Sequence, residues 1–275
     1  MPMGGIETTA LHLLRRMDPA EFRTDFAYVE PERPSVYDGQ LRDLGARVLA
    51  CSKRRYWAFQ RNFPALLREY GPYDVVHCHT ELSSGMILRL ARKAGVPVRV
   101  SHSHNDYSRR FRERSRLLVA WNRRLLRRHA TLMLAISRKA AATYYGEGWD
   151  CDPRVHVLLQ GRDFSDYATP VDRAEARAEL GLPQDALVVG HIGRFHPQKN
   201  HSFLVDIFSE VAKREKKARL LLVGDGKDRP LVERRLKEMD LLHRAVLAGT
   251  RFDVPRVLRG AVDVFLLPSL FEGVG

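Results

Sequence analysis

Short, nearly continuous apolar runs alternate along this chain with longer stretches whose apolar residues recur every three or four positions. In the second half the runs are Leu187-Val188-Val189, Leu220-Leu221-Leu222-Val223, Ala245-Val246-Leu247 and 262–267. In the first half they fall at 73–79, 96–101, 132–137 and 155–159. Aliphatic and β-branched runs of this length predict strands covered on both faces. Helical spacing predicts a helix through Leu11 and Leu14, another over Ser84–Ala94 ended by Gly95, one from Phe203 onward and one over Leu231–Leu242. Strand followed by helix, repeated, is the pattern of parallel sheets with crossover helices, so the expected fold class is α/β.

The strands of the second half leave through glycine. After 187–189 the chain reads Gly190-His191-Ile192-Gly193-Arg194-Phe195-His196-Pro197-Gln198-Lys199-Asn200, which predicts a glycine-bearing turn that delivers Arg194 and then Lys199 just before a helix. Glycine lets backbone approach closely, and a helix start adds N–H donors and the positive end of a dipole. Two separated cations on such a turn suit an anion with several charged oxygens, and a diphosphate fits best. The competing reading is an ordinary strand-to-helix turn with two solvated cations. Gly224-Asp225-Gly226 and Gly249-Thr250-Arg251 close the next two strands, and the chain ends on 262–275 with Glu272 and Gly273.

Composition narrows the class. The 275 residues suffice for one large or two modest domains. No run of 18 apolar residues and no signal peptide is present, so the expectation is a soluble, cytoplasmic protein. Cys51, Cys78 and Cys151 are scattered, without a C-x-x-C pair, which fits a reducing compartment and no structural zinc. The net charge of +13 is uneven: residues 1–168 carry 28 Lys+Arg against 18 Asp+Glu, and residues 169–275 carry 18 against 15. Nine arginines and one glutamate lie between Ser108 and His129, interleaved with Phe111, Leu117, Leu118, Val119, Trp121, Leu125 and Leu126. On a helix this places a basic face beside an apolar one, as in a segment resting on anionic lipid. The alternative is a helix packed on the sheet whose arginines reach back to water. Nucleic acid is disfavoured, since aromatic-rich strands and zinc-finger spacing are both lacking.

His77-Cys78-His79 and His102-Ser103-His104 each place two imidazoles on one face of a strand, a geometry that can chelate one ion. Because Arg194 and Lys199 already supply positive charge for a diphosphate, the expectation here is that no metal is bound.

The G-R-F-x-x-Q-K-N segment, the G-D-G turn and the D-V-F-L-L-P-S-x-x-E-G-x-G ending, in this order, resemble the retaining family 4 glycosyltransferases over nearly the whole chain. That resemblance implies the GT-B fold, two Rossmann-like domains facing across a cleft, here 1–165 on the acceptor side and 166–275 binding the nucleotide-sugar donor. It implies catalytic or charge-stabilising roles for His104, Arg194, Lys199 and Glu272. It implies substrate contacts from Gly4, Gly5, His102, Gly193, Gly224, Arg251 and Gly273. It implies no cofactor, because the nucleotide-sugar is itself a substrate, and a saccharide or lipid-linked acceptor in cell-surface polysaccharide or glycolipid synthesis. The location would be the cytoplasm, peripheral at the inner membrane face through 108–129. Gln160-Gly161-Arg162-Asp163-Phe164 resembles the family's interdomain segment, with Gln160 where asparagine is usual.

Two departures from the family pattern stand out. The Gly4-Gly5 loop has no strand before it, and the second glutamate of the family's E-x(7)-E motif is missing, so the expectation is an enzyme lacking its first strand and C-terminal part. Two alternatives stay open: a nucleotide-sugar epimerase on the same fold, and a non-catalytic basic module for anions or membranes.

Overall fold

The computed structural model describes residues 5–28, 37–51, 56–106, 115–159, 161 and 164–272. The chain divides into two units, one comprising the described residues up to Leu159 together with Glu272 and the other Gly161–Phe271. Of the interdomain segment, residues 160, 162 and 163 lie outside the described residues. The α/β expectation holds, since every strand pairing in both units is parallel.

In the first unit, helix α1 (Gly5–Leu14) and helix α2 (Asp38–Asp43) pack with a two-stranded sheet of β1 (Asp25–Tyr28) and β2 (Arg47–Ala50). Helix α3 (Tyr56–Tyr70) leads to β3 (Val75–Cys78), α4 (Ser84–Lys93), β4 (Val98–Ser103), α5 (Arg116–His129), β5 (Leu132–Ala135), α6 (Arg138–Tyr145) and β6 (Val155–Val157). The larger sheet has the order β3-β4-β5-β6. Strand β4 starts later than the apolar run at 96–101 suggests. Val96 closes the turn after α4 by donating to Ala91 O, and Pro97 has no N–H to give a ladder. The shift places His102 inside the strand. Helix α5 seats against α4 at Gly85, where a Cβ would lie 2.9 Å from Leu125 Cβ and from Leu126 N. Only glycine permits that approach.

The second unit begins with α7 (Ser165–Ala168) and α8 (Arg173–Glu179), followed by β7 (Val188–Ile192), α9 (His201–Arg214), β8 (Arg219–Val223), α10 (Arg229–Glu238), β9 (Ala245–Gly249), α11 (Val254–Gly260) and β10 (Val264–Phe265). The strand order is β10-β7-β8-β9. The continuous apolar run of β8 is explained by cover on both faces. Leu220 and Leu222 join Val189, Leu204, Val205 and Phe208, whereas Leu221 and Val223 join Val188, Leu182 and Val257. Leu220, Leu221 and Leu222 are fully buried, each worth about 1.5–3 kcal/mol relative to exposure. Gly190 corrects the turn expected there. It lies inside β7, where a Cβ would come 2.5 Å from Val262 Cγ2, so glycine serves packing rather than a turn.

Asp263 fixes this sheet at its edge. One carboxylate oxygen accepts from Val188 N at 2.7 Å and from the buried Arg177 guanidinium at 2.6 Å, and the other pairs with Arg173. Arg177, only 2% exposed, also donates to Gln184 O at 2.7 Å and Ala186 O at 3.0 Å. Burial alone would raise the Asp263 carboxyl, but the Val188 N–H and the two guanidinium groups hold it below its ordinary 3.8. Asp263→Ala should therefore lower the unfolding free energy by about 3 kcal/mol in urea titrations, since it strands a buried cation. A depressed carboxyl stabilises the fold above its unfolded value, so in the wild type this contribution should disappear as pH falls below 3.8 through the folded value. Unfolding within 0.5 kcal/mol of wild type, on the order of a neutral surface change, would contradict this account.

Candidate functional site

Open parallel sheets take ligands at the carboxyl ends of their strands, and in the second unit those ends are tied together. Gly193 N donates to Val223 O at 2.9 Å, Phe195 N to Asp225 O at 3.0 Å, and Asp228 N to Phe195 O at 3.2 Å. Gly224 N then donates to Gly249 O at 2.7 Å, linking the turn after β8 to the end of β9. This lacing needs backbone contact. Gly224 has φ +131°, and a Cβ there would lie 2.2 Å from Gly193 O. At Gly226 it would lie 2.4 Å from Phe195 O.

The cations of the turn stand on this base. Arg194 is exposed, and Lys199 is half-buried at the end of a 3-10 turn, Pro197–Lys199. His196 caps that turn through its ring, which accepts from Gln198 N at 3.3 Å. A Cβ on Gly193 would fall 3.2 Å from Lys199 Cε and 2.9 Å from His191 Nε2, so the absent side chain is what lets the lysine stem lie over the turn. Asn200 takes a left-handed conformation, φ 55°, immediately before α9 and makes no side-chain cap. Its amide instead donates to Pro268 O at 3.3 Å. Gln198 does likewise with Phe271 O at 2.9 Å and receives Leu270 N on its own carbonyl at 2.8 Å. The 268–271 segment is thereby fastened along the Arg194–Asn200 loop, just before the half-buried Glu272. The structure thus brings Gly193, Arg194, Lys199 and Gly224 onto one set of turns. Arg251 sits past β9 with its guanidinium committed to Asp253 in a two-point pair at 2.7 and 2.6 Å. Gly4 and Gly273 lie outside the described residues, and Gly5 opens α1.

In the first unit the two His-x-His pairs meet. His77 Nε2 is 3.2 Å from His102 Nδ1, and His79 Nδ1 is 2.7 Å from His104 Nε2. Burial and mutual repulsion push His102 down to about 3, and burial pushes His104 down to about 4, while His79 falls well below 6.5. The cluster is therefore uncharged at neutral pH. Beside it, Glu81 has the left-handed φ of 59° and a buried carboxyl pushed up to about 7. His77 and His79, weighed in the sequence only as a possible chelating pair, join His102 and His104 in this group, and Glu81 lies beside it. No motif marks Glu81, since its strain and burial exist only in the fold. Gln198 and Asn200 lie within the 190–200 turn segment, but their partners lie some 70 residues on.

Helix α5 divides its arginines. Arg123 donates to Thr143 O at 2.6 Å and Arg127 to Glu147 O at 2.5 Å, while Arg124 and Arg128 are exposed along an open groove of about 730 Å³. Val119 and Leu126 are buried, yet Leu117 is 83%, Leu118 49% and Trp121 56% exposed. No helix among the described residues is long and apolar enough to cross a membrane.

Residues 4–161 match the family model of the glycosyl transferase 4-like domain, and residues 186–275 that of glycosyl transferases group 1. EpsF of Bacillus subtilis (strain 168), assigned as a glycosyltransferase, is 34% identical over 279 residues, covering 100% of this chain and 72% of EpsF. The Escherichia coli UDP-Gal:alpha-D-GlcNAc-diphosphoundecaprenol alpha-1,3-galactosyltransferase is 30% identical over 212 residues, covering 74% of this chain and 53% of that protein. Among solved structures, Anabaena HepE in complex with UDP and glucose superposes with a TM-score of 0.77 at 18% identity, covering 97% of this chain and 71% of that one. Sucrose-phosphate synthase of Thermosynechococcus elongatus superposes with a TM-score of 0.75 at 20% identity, covering 99% of this chain and 72% of that one. At these identities the structures establish the fold alone.

The lacing carries a stability prediction. Gly224→Ala forces a Cβ into the Gly193 carbonyl in a backbone region that side chains avoid, and should cost about 1–3 kcal/mol in denaturant unfolding. Gly95→Ala, also at positive φ but with open space around it, should cost less. Equal costs for the two would show that the close approach carries no weight.

Proposed function

Because the chain belongs to the glycosyltransferases that join a glycosyl transferase 4-like domain to a group 1 domain, we propose that it transfers a sugar from a nucleoside diphosphate donor to a saccharide or lipid-linked acceptor. Retention of the anomeric configuration and a place in cell-surface polysaccharide or glycolipid synthesis belong to the same reading. The observation that carries it is the laced glycine turn holding Arg194 and Lys199 beside a helix start that no side chain of Asn200 caps. Two cations and first-turn N–H groups at the carboxyl end of a parallel sheet suit the diphosphate of a nucleotide-sugar. UDP in the HepE complex and the UDP-galactose of the E. coli relative support a nucleotide-sugar donor, and the diphosphoundecaprenol acceptor of that relative supports a lipid-linked one.

In this reading Arg194 and Lys199 stabilise the charge that builds on the leaving phosphate as the glycosidic bond breaks. Glu272 accepts hydrogen bonds from donor hydroxyls, and Gly193 and Gly224 let the backbone approach the phosphates. Gly4, Gly5 and Gly273 keep the substrate contacts that the family resemblance gives them. Arg251 borders the nucleotide with its charge balanced by Asp253. His104 hydrogen-bonds the reacting sugar, with His102 beside it. The acceptor attacks on the face the phosphate leaves, and the phosphate takes the acceptor proton, so no protein nucleophile and no cofactor is required.

A partner reading follows from α5. The exposed Leu117, Leu118 and Trp121 beside Arg124 and Arg128 form an apolar and cationic surface suited to an anionic lipid headgroup layer. Such a surface would keep a lipid-linked acceptor close to the enzyme, at the cytoplasmic face of the membrane.

Arg194→Ala and Lys199→Ala should each lower kcat/KM by roughly 10²-fold, the scale of a lost charge-stabilising donor. The readout is sugar transfer from a panel of nucleoside diphosphate sugars. Both variants within threefold of wild type would remove the diphosphate assignment, and interconversion of the donor without transfer would favour an epimerase.

For the lipid surface, sedimentation with vesicles should show binding to anionic but not neutral bilayers, weakening as salt rises. Arg124→Gln with Arg128→Gln should cost up to about 1 kcal/mol per arginine. These two are the informative pair, because Arg123 and Arg127 hold backbone carbonyls of the fold. Equal binding to neutral vesicles, or no change in the double variant, would return α5 to a purely structural role.

A further inference from the structure

We propose that His77, His79 and His102, supported by His104, bind a single divalent transition-metal ion of the zinc class. The sequence offers two separate His-x-His pairs, each able to give at most two ligands from one strand face. Parallel pairing of β3 with β4 changes that by setting the pairs side by side. One ligand nitrogen from each of His77, His79 and His102 then lies within 4.8 Å of the others. His77 Nε2 and His102 Nδ1 are 3.2 Å apart. Two nitrogens bound tetrahedrally to zinc at roughly 2.0–2.1 Å stand about 3.3 Å apart, so this pair already spans one tetrahedral edge. The third nitrogen needs a shift of at most about 1.5 Å to reach that spacing, within the range of a ring rotation.

His104 takes the supporting position. Its Nε2 lies 2.7 Å from His79 Nδ1. With His79 donating from Nδ1, its Nε2 keeps the lone pair a metal needs. A ligating imidazole oriented through its other nitrogen is the usual support of a metal-bound histidine. Cys78, between His77 and His79 in sequence, falls on the opposite face of the strand and is buried in the core, so no thiolate joins the set. Three imidazoles with neither carboxylate nor thiolate suit Zn²⁺, Co²⁺, Ni²⁺ or Cu²⁺, not Mg²⁺ or Ca²⁺. They also leave one coordination position for water or another oxygen ligand. Exposed His77 gives the ion its way in.

The test is titration of the purified, chelator-treated protein with Co²⁺, whose visible absorption reports coordination number. One equivalent should bind per chain with a four-coordinate spectrum, Zn²⁺ should displace it, and Mg²⁺ should not. His79→Gln and His102→Gln should each weaken binding at least tenfold, and His104→Gln by about 10- to 100-fold through loss of support. His156→Gln and His243→Gln, away from the cluster, should bind as wild type does. Absence of stoichiometric Co²⁺ binding by the wild type would overturn the site. So would unchanged affinity in folded His79→Gln and His102→Gln, which would leave a hydrogen-bonded structural cluster. Circular dichroism of each variant separates lost binding from lost folding, and the wild-type titration decides alone if the variants do not fold.

Discussion

The second unit depends on one backbone contact, the apposition of Gly224 to the Gly193 carbonyl. A Cβ at 224 would stand 2.2 Å from that oxygen, so no other residue type lets the turns after β7 and β8 share hydrogen bonds. Because they do, each turn is held by its neighbour rather than by its own local geometry. A cation on an isolated loop spends entropy to meet an anion. Arg194 and Lys199 project from a base whose backbone is already ordered, so less of that cost remains when a ligand arrives.

The same economy extends to the 268–271 segment. Gln198 and Asn200 use their side chains on carbonyls of that segment instead of capping α9. A lost cap costs about 0.5–2 kcal/mol, and here the sacrifice leaves the first-turn N–H groups of α9 without that competitor. Asp263 anchors the chain at the start of β10, upstream of that segment, by drawing Val188, Arg173 and Arg177 together. The loop that carries the cations and the strand that leads to Glu272 are thus two sides of one hydrogen-bonded structure.

The two units treat polar chemistry in opposite ways. The second presents fixed positive charge on exposed or half-buried side chains, suited to a multiply charged anion. The first buries His102 and His104 and keeps them and His79 neutral, because desolvation and crowding penalise a charged ring more than one hydrogen bond can offset. Neutral imidazoles are hydrogen-bonding and ligating groups, not charge partners, so the two units offer a ligand different kinds of contact. Helix α5 carries a third mode, with Arg123 and Arg127 holding backbone carbonyls and Arg116, Arg124 and Arg128 left to solvent.

Much of this was legible in the sequence, because local spacing encodes it. Continuous apolar runs identified both-face-covered strands, glycine after a strand marked the turns, and the order of the motifs carried the family. What the sequence left undetermined required distance. Gly190 read as a turn but serves the packing of Val262, a neighbour 72 residues away that no local window contains. The basic segment read first as a packed helix and second as a lipid-facing one, and the fold buries Val119 and Leu126 where α5 meets α4 at Gly85 while leaving Leu117, Leu118 and Trp121 exposed. The two His-x-His pairs read as two separate pairs, and only the pairing of β3 with β4 turned them into one cluster. Periodicity fixes which side chains share a face, since that depends on bonds along the chain. Which faces then meet depends on packing energy summed over the whole core, and only the tertiary structure decided it.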